Sequence, residues 1–142
     1  MNSVLDFLKP KLSEEVYLRE DITQVINTLK DLEVIPSQEF IDFYNSYSGP
    51  FFEESLGFEL LDIIEDFDNI YDSTLACREK YEFEKKFLVL TNMVANEILV
   101  LDTELDKVYR VDFEGGDIKL KNNELNETWS SFLEFLKEYF DC

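Results

Sequence analysis

Apolar residues recur along this chain with two periods. Ile22, Val25, Ile26, Leu29 and Leu32 fall three and four positions apart, which places them on one stripe of a helix and predicts an amphipathic helix over 22–33. Ser37 can cap a second helix over 38–47 whose Phe40, Phe43, Tyr44 and Tyr47 share a face. Gly49-Pro50 then supplies a left-handed C-terminal residue and a stop. Phe58-Glu59-Leu60-Leu61, after Gly57, reads as a short strand, followed by Ile63, Ile64, Phe67 and Ile70-Tyr71 at helical spacing. The runs 86–91 and 97–101 are short, apolar and β-favouring, and predict paired central strands. In 107–113, Tyr109, Val111 and Phe113 alternate with Arg110 and Asp112, the pattern of a strand with one buried and one wet face. Gly115-Gly116 turns the chain, and Ile118 and Leu120 predict one more short strand. Trp129, Phe132, Leu133, Leu136, Tyr139 and Phe140 define an amphipathic C-terminal helix beginning near Thr128. Val4, Leu5, Phe7, Leu8 and Leu12 predict a helical arm within 1–21, ended by Pro10 and recapped at Ser13.

Helices first, strands joined by short connections next and one helix last predict an α+β fold, with an antiparallel sheet of about four to six strands and helices packed on it. No internal repeat, low-complexity tract or Pro/Gly-rich linker divides the 142 residues, so 1–142 reads as a single domain. A chain of this length buries roughly 68 to 70% of its unfolded surface. The 13 Phe and 7 Tyr supply a core despite the charge, unlike the aromatic-poor composition of acidic disordered chains.

Charge narrows the function. Lys plus Arg number 13 against 32 Asp plus Glu, for a formal net charge of -19. Such a chain repels phosphate backbones and anionic membranes, so neither direct nucleic-acid binding nor membrane binding is expected. The sequence has no His, which removes the commonest acid, base and zinc ligand near neutral pH and with it every His-dependent triad. Cys77 and Cys142 form no CxxC motif and read as free thiols. The first ten residues carry neither a basic region followed by an apolar run nor a membrane span, so a cytoplasmic location is expected.

Position sharpens the charge. Between Lys30 and Arg78 there is no Lys or Arg, yet the interval holds Asp31, Glu33, Glu39, Asp42, Glu53, Glu54, Glu59, Asp62, Glu65, Asp66, Asp68 and Asp72. An unneutralised field of this kind steers basic partners and speeds their association; alternatively the acids only solvate the surface. Calcium fits poorly. Asp102, Glu104 and Asp106 start like an EF-hand loop, but Lys107 stands where the loop needs Gly and Phe113 where it needs the bidentate Glu. Asp66-Phe67-Asp68 fails in the same way, at Tyr71 and Cys77. The acids of 102–106 then belong to a turn between strands, and neither metal nor cofactor is expected. The frames GxSxG, GxxxxGK[ST], GxGxxG and HExxH are all absent, and no enzymatic activity is expected. Asn126-Glu127-Thr128 matches a glycosylation pattern but reads as a helix cap in a chain without a secretory signal, and Trp129 reads as a core residue.

Several segments together carry a resemblance. Val34-Ile35-Pro36 leading into Phe40-Ile41-Asp42-Phe43-Tyr44-Asn45 and Ser48-Gly49, then Gly57-Phe58-Glu59-Leu60-Leu61, resembles the opening of the SUKH superfamily, the Smi/Knr-like proteins. Leu88-Val89-Leu90, Asn96-Glu97-Ile98-Leu99-Val100-Leu101-Asp102, Lys107-Val108-Tyr109-Arg110 and Trp129-Ser130-Ser131-Phe132-Leu133-Glu134-Phe135-Leu136 look like its later strands and closing helix. The resemblance spans 22–140. It departs where many members are glycine-rich, at Asn92-Met93-Val94-Ala95-Asn96, and where Ser48-Gly49 replaces their Asn-Gly. It implies a SUKH-like α+β fold and, for bacterial members, an immunity protein that binds and neutralises a cognate polymorphic toxin, often a nuclease. The alternative is a cytosolic regulatory or scaffold protein of the same family, acting without a toxin. The family offers no catalytic residues to carry over. An acidic protein can shield the cationic surface that a nuclease offers to phosphate. The candidate partner-binding residues are therefore Glu53, Glu54, Glu59, Asp62, Glu65, Asp66, Asp68 and Asp72.

Overall fold

A computed structural model describes residues 3–12, 14, 17–19, 23–53, 56–64 and 68–140. The chain opens with a 3-10 helix, Ser3–Leu8, and continues into helices α1 (Thr23–Leu32) and α2 (Gln38–Ser46). Leu5, Leu8 and Leu12 of the N-terminal arm are buried in the same apolar cluster as Val25, Leu29 and Phe43. Ser13, expected to recap it, lies outside the described residues. In α1 the buried stripe is Val25, Thr28, Leu29 and Leu32. Ile26 lies off that stripe and is exposed, and Ile22 is outside the described residues. The Ser37 hydroxyl caps α2 by accepting the Phe40 N–H at 3.3 Å. The helix ends because Tyr47 turns extended at φ -128° and ψ 143°. Gly49, expected to end it in a left-handed conformation, has no positive φ. It is small for another reason: a Cβ there would meet the Phe51 ring at 2.8 Å, while its N–H donates to Asp62 Oδ1 at 3.0 Å.

Strands β1 (Phe51–Phe52) and β2 (Glu59–Leu60) pair antiparallel, with Phe51 opposite Leu60 and Phe52 opposite Glu59. Helix α3 (Ile70–Tyr81) follows, then β3 (Phe87–Val89), β4 (Glu97–Asp102) and β5 (Lys107–Asp112), which form an antiparallel sheet in the order β3-β4-β5. The strands therefore form two sheets, of two and three strands, and the fold is α+β. The sheets meet where Leu60 bridges Thr91 and the Leu61 N–H donates to the Leu90 carbonyl at 2.9 Å.

Both faces of the larger sheet are covered, and this explains its continuous apolar runs. Leu88, Leu90, Leu99, Leu101 and Val108 join the main core with Phe40, Phe43, Tyr44, Phe51, Phe132, Phe135 and Phe140. Rings there pack at centroid separations such as 4.9 Å for Phe40 and Phe132 and 5.2 Å for Phe43 and Phe51. Phe87, Val89, Ile98, Val100, Tyr109 and Val111 face a second cluster with Phe83 and Leu120. The alternation expected for β5 holds at Tyr109, Val111 and Arg110, but Val108 on the other face is also fully buried.

Three further expectations are corrected. Ile118 and Leu120 lie on helix α4 (Gly116–Lys121), not on a strand; of the two only Leu120 is buried, so a single inward apolar side chain carries the segment's packing. The C-terminal helix α5 is Phe132–Tyr139, capped by the Ser131 hydroxyl, which accepts the Glu134 N–H at 3.1 Å. Thr128 is not its cap. Thr128 Oγ1 accepts the Arg110 N–H at 3.0 Å, and Trp129 bridges Val108 along the edge of β5, buried against Phe135 in an edge-to-face contact. Finally, Ile63 and Ile64 precede α3 instead of starting it. The helix begins after Asn69, whose side chain accepts the Asp72 N–H at 2.7 Å and donates to Asp72 Oδ2 at 3.1 Å. Among the described residues no helix is long and apolar enough to cross a membrane.

Candidate protein-interaction surface

The acids of the base-free interval do not share one face. Asp62 is turned inward: its side chain is 3% exposed and pairs with that of Arg19, which is 5% exposed. Arg19 also donates through Nε to the Tyr44 carbonyl, and Asp62 accepts the N–H groups of Gly49 at 3.0 Å and Ile64 at 3.3 Å. The pair is satisfied on both sides and ties the N-terminal segment to the β2–α3 connection. Asp62 is thus withdrawn from the candidate contact residues, because its carboxylate is fully committed inside the fold. Glu54, Glu65 and Asp66 lie outside the described residues.

Glu53 and Glu59 sit together on the β1–β2 hairpin, both half-buried. The hairpin is held from beneath by the Tyr139 hydroxyl, which accepts the Leu60 N–H at 3.1 Å and lies 2.9 Å from the Phe51 carbonyl and 2.7 Å from that of Phe58. Burial pushes this phenol up to about 12, and the charges of Glu53 and Glu59 push the same way, so both carboxylates lie within electrostatic reach of the Tyr139 hydroxyl. The hairpin's outer rung pairs Glu59 with Phe52, which is 64% exposed.

Asp68 and Asp72 occupy a different place, the N-terminal end of α3, where Asp72 also complements the helix dipole. Both are exposed, and Asp68 has a positive φ of 47°. Asp31, at the end of α1, joins them: the Tyr71 hydroxyl donates to its carboxylate, and that bond together with burial and the nearby charges of Asp31 and Asp72 raises the phenol's pKa. The exposed and half-buried candidates among the described residues therefore fall into a hairpin group and an α1–α3 group, while Glu39 and Asp42 of the same stretch lie apart on α2.

Bases from outside the interval reduce its field locally. Lys85 pairs with Glu33 and holds that carboxyl below the usual range, largely through their hydrogen bond. Arg78 spends its guanidinium on the carbonyls of Leu32 and Lys85, at 2.8 Å each. Among the described residues no Lys or Arg pairs with Glu53, Glu59, Asp68 or Asp72.

The turn 103–106 is a structural use of acids, as its sequence implies. Asp102 Oδ1 accepts the N–H groups of Glu104 at 2.9 Å and Leu105 at 3.1 Å, while its other oxygen faces Lys86 Nζ at 3.5 Å. Asp106 reaches Ser37 and the Phe132 N–H, at the starts of α2 and α5; burial outweighs those bonds and raises its carboxyl. Among the described residues no group of three or more His, Cys, Asp or Glu is placed to hold a metal ion. Cys77 is a free thiol pushed up to about 11 by burial, a poor nucleophile near neutral pH.

An open cavity of about 510 Å³ lies between the N-terminal arm and α2, lined by residues including Asp6, Lys9, Asp42 and Asn45. Its ionic groups are already engaged: Lys9 pairs with Asp6 at 3.3 Å and Gln38 donates to Asp42 at 2.7 Å. No protein-family model matches the chain, and no curated protein matches it.

Proposed function

We propose that this chain is an immunity protein that binds and neutralises a cognate toxin, one with a basic, nuclease-like surface, and that it works in the cytoplasm without catalysis or cofactor. The reading includes a SUKH-like arrangement of the α+β fold. The observation that carries it is the set of carboxylates on the β1–β2 hairpin and the N-terminal end of α3, Glu53, Glu59, Asp68 and Asp72, with which no Lys or Arg pairs among the described residues. A -19 chain with two such surfaces attracts cationic proteins and repels copies of itself. The same surfaces would compete with phosphate for the cations of a nuclease. The segments that resemble the Smi/Knr-like proteins add the toxin-specific part, since charge alone fits any basic partner.

The test is co-purification of the chain with the product of the adjacent reading frame, carried in a catalytically silenced form. A stoichiometric complex whose association slows steeply with added salt supports the reading. A chain that binds no such product, or binds it with no dependence on salt, contradicts it. Recovery with a cellular regulatory protein instead would support the scaffold alternative.

A further inference from the structure

Resting on the immunity reading, we infer that Tyr139 and the Arg19–Asp62 pair are positioning residues, which set the β1–β2 hairpin so that Glu53 and Glu59 meet the partner together. The hairpin pairs over two rungs, Phe51 with Leu60 and Phe52 with Glu59, and so short a two-stranded ribbon holds no fixed shape by its own pairing. Its backbone instead converges on one hydroxyl brought by α5. The Leu60 N–H donates to Tyr139 Oη at 3.1 Å, the carbonyls of Phe51 and Phe58 stand 2.9 and 2.7 Å from it, and the Glu53 N–H reaches it as well. A hydroxyl has two acceptor lone pairs and one proton, so two N–H groups and one carbonyl fill it. These backbone groups lie on both sides of the Phe52–Glu59 rung, and one of them belongs to Glu53 itself. Phe51, Phe58, Leu60 and Tyr139 are all buried, where a donor or acceptor that loses its partner is costly.

The second support stands at the hairpin's base. Two positions before Phe51 and two after Leu60 lie Gly49 and Asp62, and the Gly49 N–H donates to Asp62 Oδ1 at 3.0 Å. Arg19 holds that carboxylate and also donates through Nε to the Tyr44 carbonyl, while the Tyr44 hydroxyl donates to the Leu61 carbonyl at 2.8 Å. Both ends of the hairpin are thereby tied to α2 and to the N-terminal segment. Tyr139 and the side chains of Arg19 and Asp62 are buried, so they act on a partner only through the carboxylates that the hairpin carries. This gives the buried ion pair a use apart from stability, the fixing of one arrangement among several.

The experiment measures amide exchange of the full chain and its binding kinetics with the silenced adjacent-frame product. The chains compared are wild type, Tyr139→Phe, Arg19→Met/Asp62→Leu, Glu53→Lys/Glu59→Lys and, as an exposed control on α4, Ile118→Ser. Urea unfolding sets conditions in which each chain is folded. Tyr139→Phe removes only the hydroxyl, and its Glu53 and Leu60 amides should exchange more than about tenfold faster, beyond any change shared by β4 and β5. Arg19→Met/Asp62→Leu keeps the core filled but leaves the Gly49 N–H without its acceptor. Both variants should release the product at least about tenfold faster, with the salt dependence of association as in wild type because Glu53 and Glu59 remain. The charge-reversed variant should instead associate more slowly with a flatter salt dependence, and Ile118→Ser should stay within about twofold of wild type. Buried residues that served stability alone would leave binding by the folded chain unchanged. Release within about twofold of wild type by Arg19→Met/Asp62→Leu, which decides alone if Tyr139→Phe does not fold, overturns the positioning role and leaves the immunity reading standing. Unaltered binding by the charge-reversed variant does the same. Failure of wild type to bind overturns both.

Discussion

Removing the Asp62 carboxylate would leave the Arg19 guanidinium buried opposite nothing, and the Gly49 and Ile64 N–H groups without their acceptor. Asp62→Ala should therefore lower stability by about 3–5 kcal/mol, read as a lower urea midpoint at unchanged slope. Arg19→Met/Asp62→Leu should recover most of the loss, because it removes both charges together. A loss under about 1 kcal/mol for Asp62→Ala would show an exposed, weak pair instead. Tyr139 makes a second prediction. An unfolded phenol ionises near pH 10, and the folded one only near 12, so the stability that burial supports is complete below about pH 10 and falls as pH rises towards about 12. Tyr44, fully buried with its hydroxyl on the Leu61 carbonyl at 2.8 Å, is shifted in the same direction. Urea midpoints should drop above about pH 10, and less steeply in Tyr139→Phe; a flat profile would contradict this placement. None of this is written locally in the chain. Asp62 looks like its acidic neighbours, and Arg19 lies among Glu14, Glu15, Glu20 and Asp21, so only folding reveals that these two find each other across 43 positions.

Elements were legible where one physical signal dominated. The face of α2 with its Ser37 cap, and the β-branched and leucine runs of β3 and β4, were readable because local preference and burial agree there. Helix α3 gave little pattern because only Ile70 and Thr74 of its residues are buried; it is placed by the Asn69 cap and by Thr74 Oγ1, which accepts the Val89 N–H at 3.0 Å. Helix α4 imitates a strand by two alternating apolar residues, of which the fold uses one. Trp129 extends the apolar period of α5 backward, yet it serves the β5 edge. Ser131→Ala should accordingly cost about 1 kcal/mol through loss of the α5 cap. Asn126→Ala, outside any cap, should cost less than about 0.5 kcal/mol in the same urea titration. Equal losses would return the helix start to the Thr128 neighbourhood.

At the scale of the molecule, composition gives the sign of the field and the fold gives the places where it is left unneutralised. The net charge pointed to a basic protein, but a linear stretch of acids is not a surface: Asp62 goes inside, Glu33 meets Lys85, Glu39 and Asp42 lie on α2, and the other described acids divide between the hairpin and the α1–α3 end. The exposure of Phe52 beside the buried Phe51 had no signal in the sequence, because exposed and buried apolar residues look alike until pairing assigns their faces. The central claim is neutralisation of a toxin, and growth of cells expressing the active product of the adjacent reading frame tests it most directly. The account predicts that growth arrests without this chain, is restored by wild type and by Ile118→Ser, an exposed apolar control on α4, and is restored poorly by Glu53→Lys/Glu59→Lys/Asp68→Lys/Asp72→Lys. Arrest that wild-type chain does not relieve, despite comparable expression of both proteins, would contradict it.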